Sequence, residues 1–389
     1  MHNNILYVTT LLFIVFLTCC FSAETQDGYS KNENIDPQSR TDSSKSDSIQ
    51  YIIREVVNDY QVPGIIAAII SGEDVIGIAS AGERKVGSGI AITINDMVHL
   101  GSCTKAMTAT MIATLVAEGK LSWDAKLIEV IPELKNKIHE DYHKITLWQL
   151  LIHQAGLTKN ATDWGAYQQK EIKERRMAIL EDNLKSPATY EMDQFHYSNL
   201  GYMIAACMAE QITGLSWEVL IKNRLFDPLG MLSVGFGAPN THNKIDQPWG
   251  HSKSWSGNNW KPDQSDNSEA LGPAGLVHCS IEDWAKFLSL QLSKENSILD
   301  RVYLNKLIEP PANSYYAGGW GVANQPWASG IMLTHSGSNG IWYTTVVVTP
   351  EFNRAFIVST NSCDFSVSPD MCTDVINRLI IMELDLDNK

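Results

Sequence analysis

A chain of 389 residues that is 44% hydrophobic and 19% charged has apolar material for one large domain or two intertwined ones, which excludes global disorder. Its formal net charge of -14, with no cluster of lysine and arginine, excludes a nucleic-acid binder, because neutralising phosphates needs concentrated positive charge. Beyond that, the acidity speaks only to solubility.

Residues 5–21 form an apolar run after a short polar start that holds no lysine or arginine, and Ser22 and Ala23 follow. The run reads as a signal peptide cleaved after Ala23. Leu17-Thr18-Cys19-Cys20 offers a second form of export, a lipoprotein box with Cys20 acylated as a membrane tether. Either form places the protein outside the cytoplasm, in the periplasm or secreted. Residues 24–48 are rich in Ser, Asp, Asn, Gln and Lys and read as a flexible linker, since they cannot bury enough apolar surface to fold.

The folded domain is expected over residues 49–389. Residues 49–58 read as a helix, and residues 64–70 and 75–82 as strands around the turn Ser71-Gly72-Glu73-Asp74. Leu100-Gly101-Ser102-Cys103-Thr104-Lys105 then opens an apolar run over 106–116 that ends at Glu118-Gly119, the pattern of an amphipathic helix with a glycine stop. Ser102 and Lys105 share a face at i and i+3, so the amine can take the serine proton or stabilise its alkoxide. The positive end of the helix favours an oxyanion near Ser102. Cys103 points to another face and reads as a packed small residue.

His139-Glu140-Asp141-Tyr142-His143 matches H-E-x-x-H, the signature of zinc metalloproteases. Zinc needs both histidines on one face of a well-formed helix plus a third ligand, whereas this match lies in a polar, loop-like stretch, so no metal is expected. His153 follows an apolar helix over 147–152 and reads as structural. Phe195-His196-Tyr197-Ser198-Asn199 precedes a helical run over 200–212 closed by Gly214, which places it in a loop or cap. Beside an ammonium the Tyr197 phenolate is favoured and can act as a general base. Asn199 offers an amide to substrate, or else caps the helix. Trp249, Trp255 and Trp260, among Gly, Ser and Asn, either line a cleft or pin a long loop to the body. No G-x-S-x-G elbow occurs, which counts against an α/β-hydrolase.

Residues 318–322, 331–335, 341–349 and 355–360 read as strands, and residues 370–384 as a closing helix. Thr334-His335-Ser336-Gly337-Ser338 sits where one strand turns into its neighbour. A backbone N–H here, with that of Ser102, can form an oxyanion hole, and Gly337 lets substrate approach the main chain; an ordinary hairpin is the plainer reading. Strands at both ends and helices between imply an α/β fold of the α+β type. In it an antiparallel sheet is flanked by helices, and a mainly helical region is inserted at about residues 120–282, with a cleft between.

S-x-x-K at Ser102-Lys105, Tyr-x-Asn at Tyr197-Asn199 and His-x-Gly at His335-Gly337, in that order, resemble the three motifs of the serine penicillin-recognising superfamily. The branch they resemble holds the class C beta-lactamases with related DD-peptidases and carboxylesterases of the beta-lactamase fold. Leu150-Leu151-Ile152-His153-Gln154-Ala155-Gly156-Leu157 is similar to that family's LLxHxxGL segment, and Gly272-Pro273-Ala274-Gly275-Leu276 to its G-x-x-G-L stretch. The resemblance implies an acyl-serine hydrolase acting on a small-molecule or peptide substrate without cofactor. Ser102, Lys105 and Tyr197 would be catalytic, and Asn199, His335, Gly337 and Ser338 would meet the substrate. It also leaves open a penicillin-binding sensor that keeps the fold without turnover. One departure stands out: many beta-lactamases carry lysine in the third motif, and His335 is largely neutral at pH 7. Of the cysteines beyond the leader, Cys363 and Cys372 are near enough in sequence to bridge a loop, which export would allow.

Overall fold

Two apolar runs from opposite ends of the chain become neighbours in one sheet. The computed structural model describes residues 42–253, 259–293 and 298–387. Strand β1 (Gly64–Ser71) reads GIIAAIIS and is buried along nearly its whole length, so both of its faces need cover. It pairs antiparallel with β2 (Asp74–Gly82) on one side and with a strand from the far end of the chain on the other. That end supplies β3 (Gly321–Gln325), β4 (Gly330–Ser338), β5 (Tyr343–Thr349) and β6 (Arg354–Thr360). The order across the sheet is β2-β1-β6-β5-β4-β3, antiparallel throughout.

The period-two alternation of strands sorts the sheet's side chains between two cores. Ile65, Ala67, Ile69, Phe356 and Val358 pack with Ile49, Ile53 and Val56 of helix α1 (Ser43–Tyr60) and with Val375 and Leu379 of the last helix (Ser368–Asp387). Ile66, Ala68, Ile70, Val346 and Ile357 face the larger core, which holds the helical half of the molecule. Buried Glu383 on the last helix bonds Lys45 of α1 and, at 2.7 Å, Nε of Arg354 on β6. One carboxylate thereby ties both terminal helices to the sheet.

Helix α1 starts earlier than the apolar pattern predicts. Asp42 accepts from the Ser44 N–H at 2.8 Å and caps it, so residues 43–48 are helix rather than linker. The leader with its Ala23 and Cys20 alternatives, the linker up to residue 41, and Trp255 lie outside the described residues.

Helix α2 (Thr104–Ala117) is buried on every side from Thr104 to Leu115, not amphipathic. Its threonines make this possible: Thr108 donates to Pro273 O and Thr110 to Ala106 O, both at 2.8 Å, so no hydroxyl asks for water. Helix α3 (Asn199–Thr213) ends at Gly214 with φ 73°, the left-handed stop the sequence signals.

Two expectations shift in detail. The strand predicted at 318–322 lies at Gly321–Gln325, because Gly318 and Gly319 form a turn pressed on α2; Gly319 has φ 89°, and a Cβ there would overlap the Ala106 backbone. The inserted region carries short strands besides its helices. Val277–Ser280 sits between Met97–His99 and Gly235–Phe236, and Gly250–Lys253 pairs with Trp260–Asp263. Cys363 and Cys372 do not bridge; they and Cys103, Cys207 and Cys279 are free and buried.

Candidate active site

Ser102 sits on a single turn of 3-10 helix, Gly101–Cys103, that leads into α2. The turn is entered through Gly101 at φ 49°, a conformation that favours glycine. Strand β4 lies directly against it. A methyl on Gly337 would overlap Leu100 O and stand 2.7 Å from the Ser102 nitrogen, and one on Gly101 would overlap the Ser338 nitrogen. These two glycines let the main chains touch, which puts the Ser102 and Ser338 amides at one point of the cleft.

One helical turn on, Lys105 is fully buried. Its Nζ lies 3.1 Å from Ser102 Oγ, 2.7 Å from Asn199 Oδ1 and 2.7 Å from Ala274 O. None of the three partners is a carboxylate. Desolvation holds the Lys105 pKa well below the ordinary lysine value; Cys103 works against this and the Lys159 ammonium with it. A neutral amine fits these contacts atom for atom: two N–H groups donate to Asn199 and Ala274, and the lone pair is left for the Ser102 hydroxyl.

The Tyr197 phenol lies near enough to Ser102 to feel its hydroxyl, and the Lys105 Nζ stands 4.8 Å from its ring centroid. Burial nevertheless pushes its phenol above the usual tyrosine range, the Ser102 hydroxyl offsetting only part of this. Burial of the phenol and of the amine beside it thus works against the expected phenolate and favours the protonated phenol.

The loop carrying Tyr197 is set by His153, itself in the left-handed region at φ 61°. Its backbone O accepts from the His196 N–H at 2.8 Å, its Nδ1 accepts from the Ser198 N–H at 3.1 Å, and its ring packs 4.4 Å from that of Tyr197. Ser198, not Asn199, caps α3, accepting from the Gly201 N–H at 3.0 Å. That leaves Asn199 free to accept from Lys105 and to donate to Asn160 Oδ1 at 2.8 Å.

His335 is brought beside Tyr197 but not into the cleft. It is buried; its Nδ1–H donates to Ser336 O at 2.7 Å, so its Nε2 accepts from the Tyr316 hydroxyl at 3.0 Å. Desolvation first, and then repulsion from Lys105 at the acid pH where that amine too is protonated, brings its pKa down to about 3. The direct substrate contact expected of His335 is thus replaced by packing, because both ring nitrogens are already used. Cys103 points its thiol at His335 O, and burial raises its pKa to about 12, which fits a packed residue rather than a thiolate.

In front of Ser102 lies a cavity of about 280 Å³ lined by Asn160, Trp164, Asn199, Asn267, Gly275 and Ser338 among others. Sequence reasoning missed Asn160, Trp164 and Asn267, which come from unrelated segments without a diagnostic spacing. It quoted Ala274 within G-P-A-G-L but not the use of its carbonyl. Trp249 and Trp260 do not line this cavity: the Trp249 indole N–H donates within its own loop to Lys244 O and that of Trp260 to Gln61 O, both at 2.6 Å, the second tying its strand to the body.

The H-E-x-x-H stretch forms a 3-10 helix, Glu140–Lys144, with His139 as its cap. At three residues per turn, i and i+4 fall on different faces. His139 is engaged with Asp141, and among the described residues no group of three or more His, Cys, Asp or Glu is placed to hold a metal.

The family model described as "Beta-lactamase" matches residues 49–376. Among curated proteins, "Protein flp" of Staphylococcus aureus (strain N315) is 26% identical over 329 residues, covering 81% of this chain and 64% of that one. The chain thus spans under two thirds of the length of that relative. Among solved structures, the octameric penicillin-binding protein homologue from Pyrococcus abyssi superposes with a TM-score of 0.70 at 24% identity, covering 88% of this chain and 77% of that one. A class C beta lactamase from Rhodobacter sphaeroides gives 0.71 at 17% identity, covering 87% and 99%. These likenesses extend the fold across nearly the whole described domain.

Proposed function

Because this chain belongs to the beta-lactamase family, we propose that it is a serine hydrolase that opens an amide or ester through an acyl-Ser102 intermediate. The observation that carries the reading is Lys105: a buried amine with no carboxylate partner among the described residues, 3.1 Å from Ser102 Oγ. Lys105 takes the Ser102 proton as Oγ bonds to the carbonyl carbon, and the Ser102 and Ser338 amides hold the oxyanion. Tyr197, protonated and beside Ser102, hands a proton to the leaving nitrogen or oxygen as its bond to carbon breaks, and is resupplied from Lys105. Water then attacks the ester, giving up its proton along the same path, and the acid leaves with Ser102 restored.

For the substrate, the cleft wall favours a peptide-like acyl group. The carboxamides of Asn160, Asn199 and Asn267 can meet amide donors and acceptors, and Trp164 offers an apolar face. His335, neutral and buried, supplies no fixed cation for the carboxylate of a beta-lactam, so D-amino-acid peptides and carboxylic esters rank ahead of beta-lactams. The apolar leader over residues 5–21 supports an exported protein, with Cys20 as the membrane tether where acylation replaces cleavage.

Intact-mass spectrometry over a time course with p-nitrophenyl acetate and with benzylpenicillin, using Ser102→Ala as control, tests the reading. An acyl adduct on the wild type that is absent from Ser102→Ala supports it. Turnover retained by a folded Ser102→Ala protein overturns it.

A further inference from the structure

Three walls of the cleft meet at one part-buried carboxylate, Asp266, that the proposed reaction does not use. Asp266 Oδ1 accepts from the Asn267 N–H at 2.6 Å and from Asn339 Nδ2 at 3.1 Å. Asn267 lines the cavity and donates to Gly275 O at 3.0 Å. Asn339 follows Ser338, one of the two amides assigned to the oxyanion, and its Oδ1 fixes the turn by accepting from the N–H groups of Ile341 and Trp342.

The third wall is the Ser102 turn, reached through His99. That side chain is fully buried, and its Nδ1 accepts the Gly101 N–H at 3.1 Å, which places the ring proton on Nε2. His99 Nε2 stands 3.0 Å from Asp266 Oδ2, with its N–H off the line between the two atoms, so the contact is electrostatic more than a straight hydrogen bond. Burial raises the Asp266 pKa, but His99, Asn339 and the Asn267 amide outweigh it and keep the carboxyl below its ordinary range. The carboxylate therefore stays charged and can hold the imidazole tautomer.

We propose that His99 and Asp266 are positioning residues: together they hold the Gly101 peptide so that the Ser102 amide, with that of Ser338, faces the developing oxyanion. The geometry favours this over plain core filling. Gly101, first residue of the 3-10 turn and at φ 49°, gives its N–H to His99, which fixes the Leu100–Gly101 peptide plane; the Gly101 dihedrals carry that orientation to the adjoining peptide, whose N–H is that of Ser102. A residue that only filled volume would need no acceptor at that spot. The inference rests on the reading of Ser102 as nucleophile.

The test measures how fast a fluorophosphonate probe labels Ser102, together with kcat and KM on p-nitrophenyl acetate. The variants are His99→Leu, His99→Asn, His99→Gln and Asp266→Asn, each checked for folding by near-ultraviolet circular dichroism. Asparagine can place an amide oxygen where Nδ1 lies; leucine offers no acceptor and glutamine reaches only the Nε2 position. We expect His99→Leu to lose roughly 10- to 100-fold in labelling rate and kcat with KM nearly unchanged, as for loss of oxyanion alignment. His99→Asn should recover most of that, His99→Gln little, and Asp266→Asn should lose about 10-fold.

A folded His99→Leu or Asp266→Asn protein that labels at the wild-type rate overturns the proposal. So does a His99→Asn protein no faster than His99→Gln, a comparison that decides the matter if the leucine variant does not fold. A wild type left unlabelled by the probe overturns the nucleophile reading first, and this inference with it.

Discussion

Two kinds of buried charge site in this molecule are built on opposite principles. At Glu383, and again where Arg176 meets Glu210 and Glu218, each buried ionic side chain faces opposite charge: Lys45 and Arg354 in the first case, two carboxylates in the second. At Lys105 the charge would face only neutral oxygens, those of Ser102, Asn199 and Ala274. Burial with a counter-charge keeps a group ionised and makes it a fastener. Burial without one neutralises the group and makes a base of an amine that water would keep protonated.

The most damaging way to break this contrast is Lys105→Met, a near match in length without the nitrogen. If the amine is the proton acceptor, kcat on p-nitrophenyl acetate falls by roughly 10³-fold, within the range for loss of a general base. The fold should hold and the melting temperature stay level or rise, because a buried amine without a counter-charge gives way to an apolar chain of similar volume. A melting temperature lowered in step with activity would show that Lys105 is a fastener too.

The same contrast has a pH signature. The amine must be neutral to act, so kcat/KM should fall as pH drops through the depressed Lys105 pKa, well below the usual lysine range of about 10.4. The linkage to stability has the same sign. Between the folded and unfolded lysine values the unfolded chain binds the extra proton, so stability rises with pH up to about 10. Chemical denaturation of wild type and Lys105→Met across pH should show the difference between them shrinking as pH climbs toward that value. A constant difference would mean that Lys105 is charged in the folded protein.

At the fastener the expectation reverses. Glu383→Gln keeps the shape but leaves Lys45 and Arg354 without their counter-charge. Both cations are partly exposed, at 16% and 18%, so the cost stays below that of a fully buried pair, about 2–3 kcal/mol. Urea denaturation reads that loss, while kcat and KM at low temperature should match the wild type, since the larger core separates Glu383 from the cleft.

What the sequence could show of these sites follows from the range of the interactions. The short apolar runs at 64–70, 75–82, 341–349 and 355–360 are local, and they revealed strands at both ends and hence one sheet from two termini. The spacing of Ser102 and Lys105 is local as well. The start of α1 was hidden because its cap, Asp42, lies in a polar stretch whose first turns are solvated and carry no apolar stripe. The short strands of the inserted region were hidden because two to four residues make no period. Ionisation was the least legible: the Tyr197 phenolate was inferred from a neighbouring cation, while the structure buries both groups, and desolvation outweighs the attraction. The Ala274 carbonyl that helps hold Lys105 belongs to the backbone, which side-chain identities do not report.

The smallest expected effect concerns His335, where the motif suggests a substrate contact and the structure gives a buried ring bonded to Tyr316. Tyr316→Phe removes only the hydroxyl that His335 Nε2 accepts. A buried acceptor left without a donor costs about 1 kcal/mol or slightly more in stability. Because that hydroxyl does not line the cavity, KM should stay near the wild-type value; a KM raised several-fold would put the His335 ring, displaced or not, in contact with substrate. A pH series separates the two cases again. With a folded pKa of about 3 against the usual value near 6.5, His335 stays neutral through the activity range. It therefore adds no step to kcat/KM near pH 6.5, while stability declines as pH falls below about 6.5, where the unfolded chain takes up the proton that the folded ring refuses. Losing the Tyr316 hydroxyl should leave that acid decline in place and lower the whole curve by a similar amount, the pattern of a packing contact rather than a binding one.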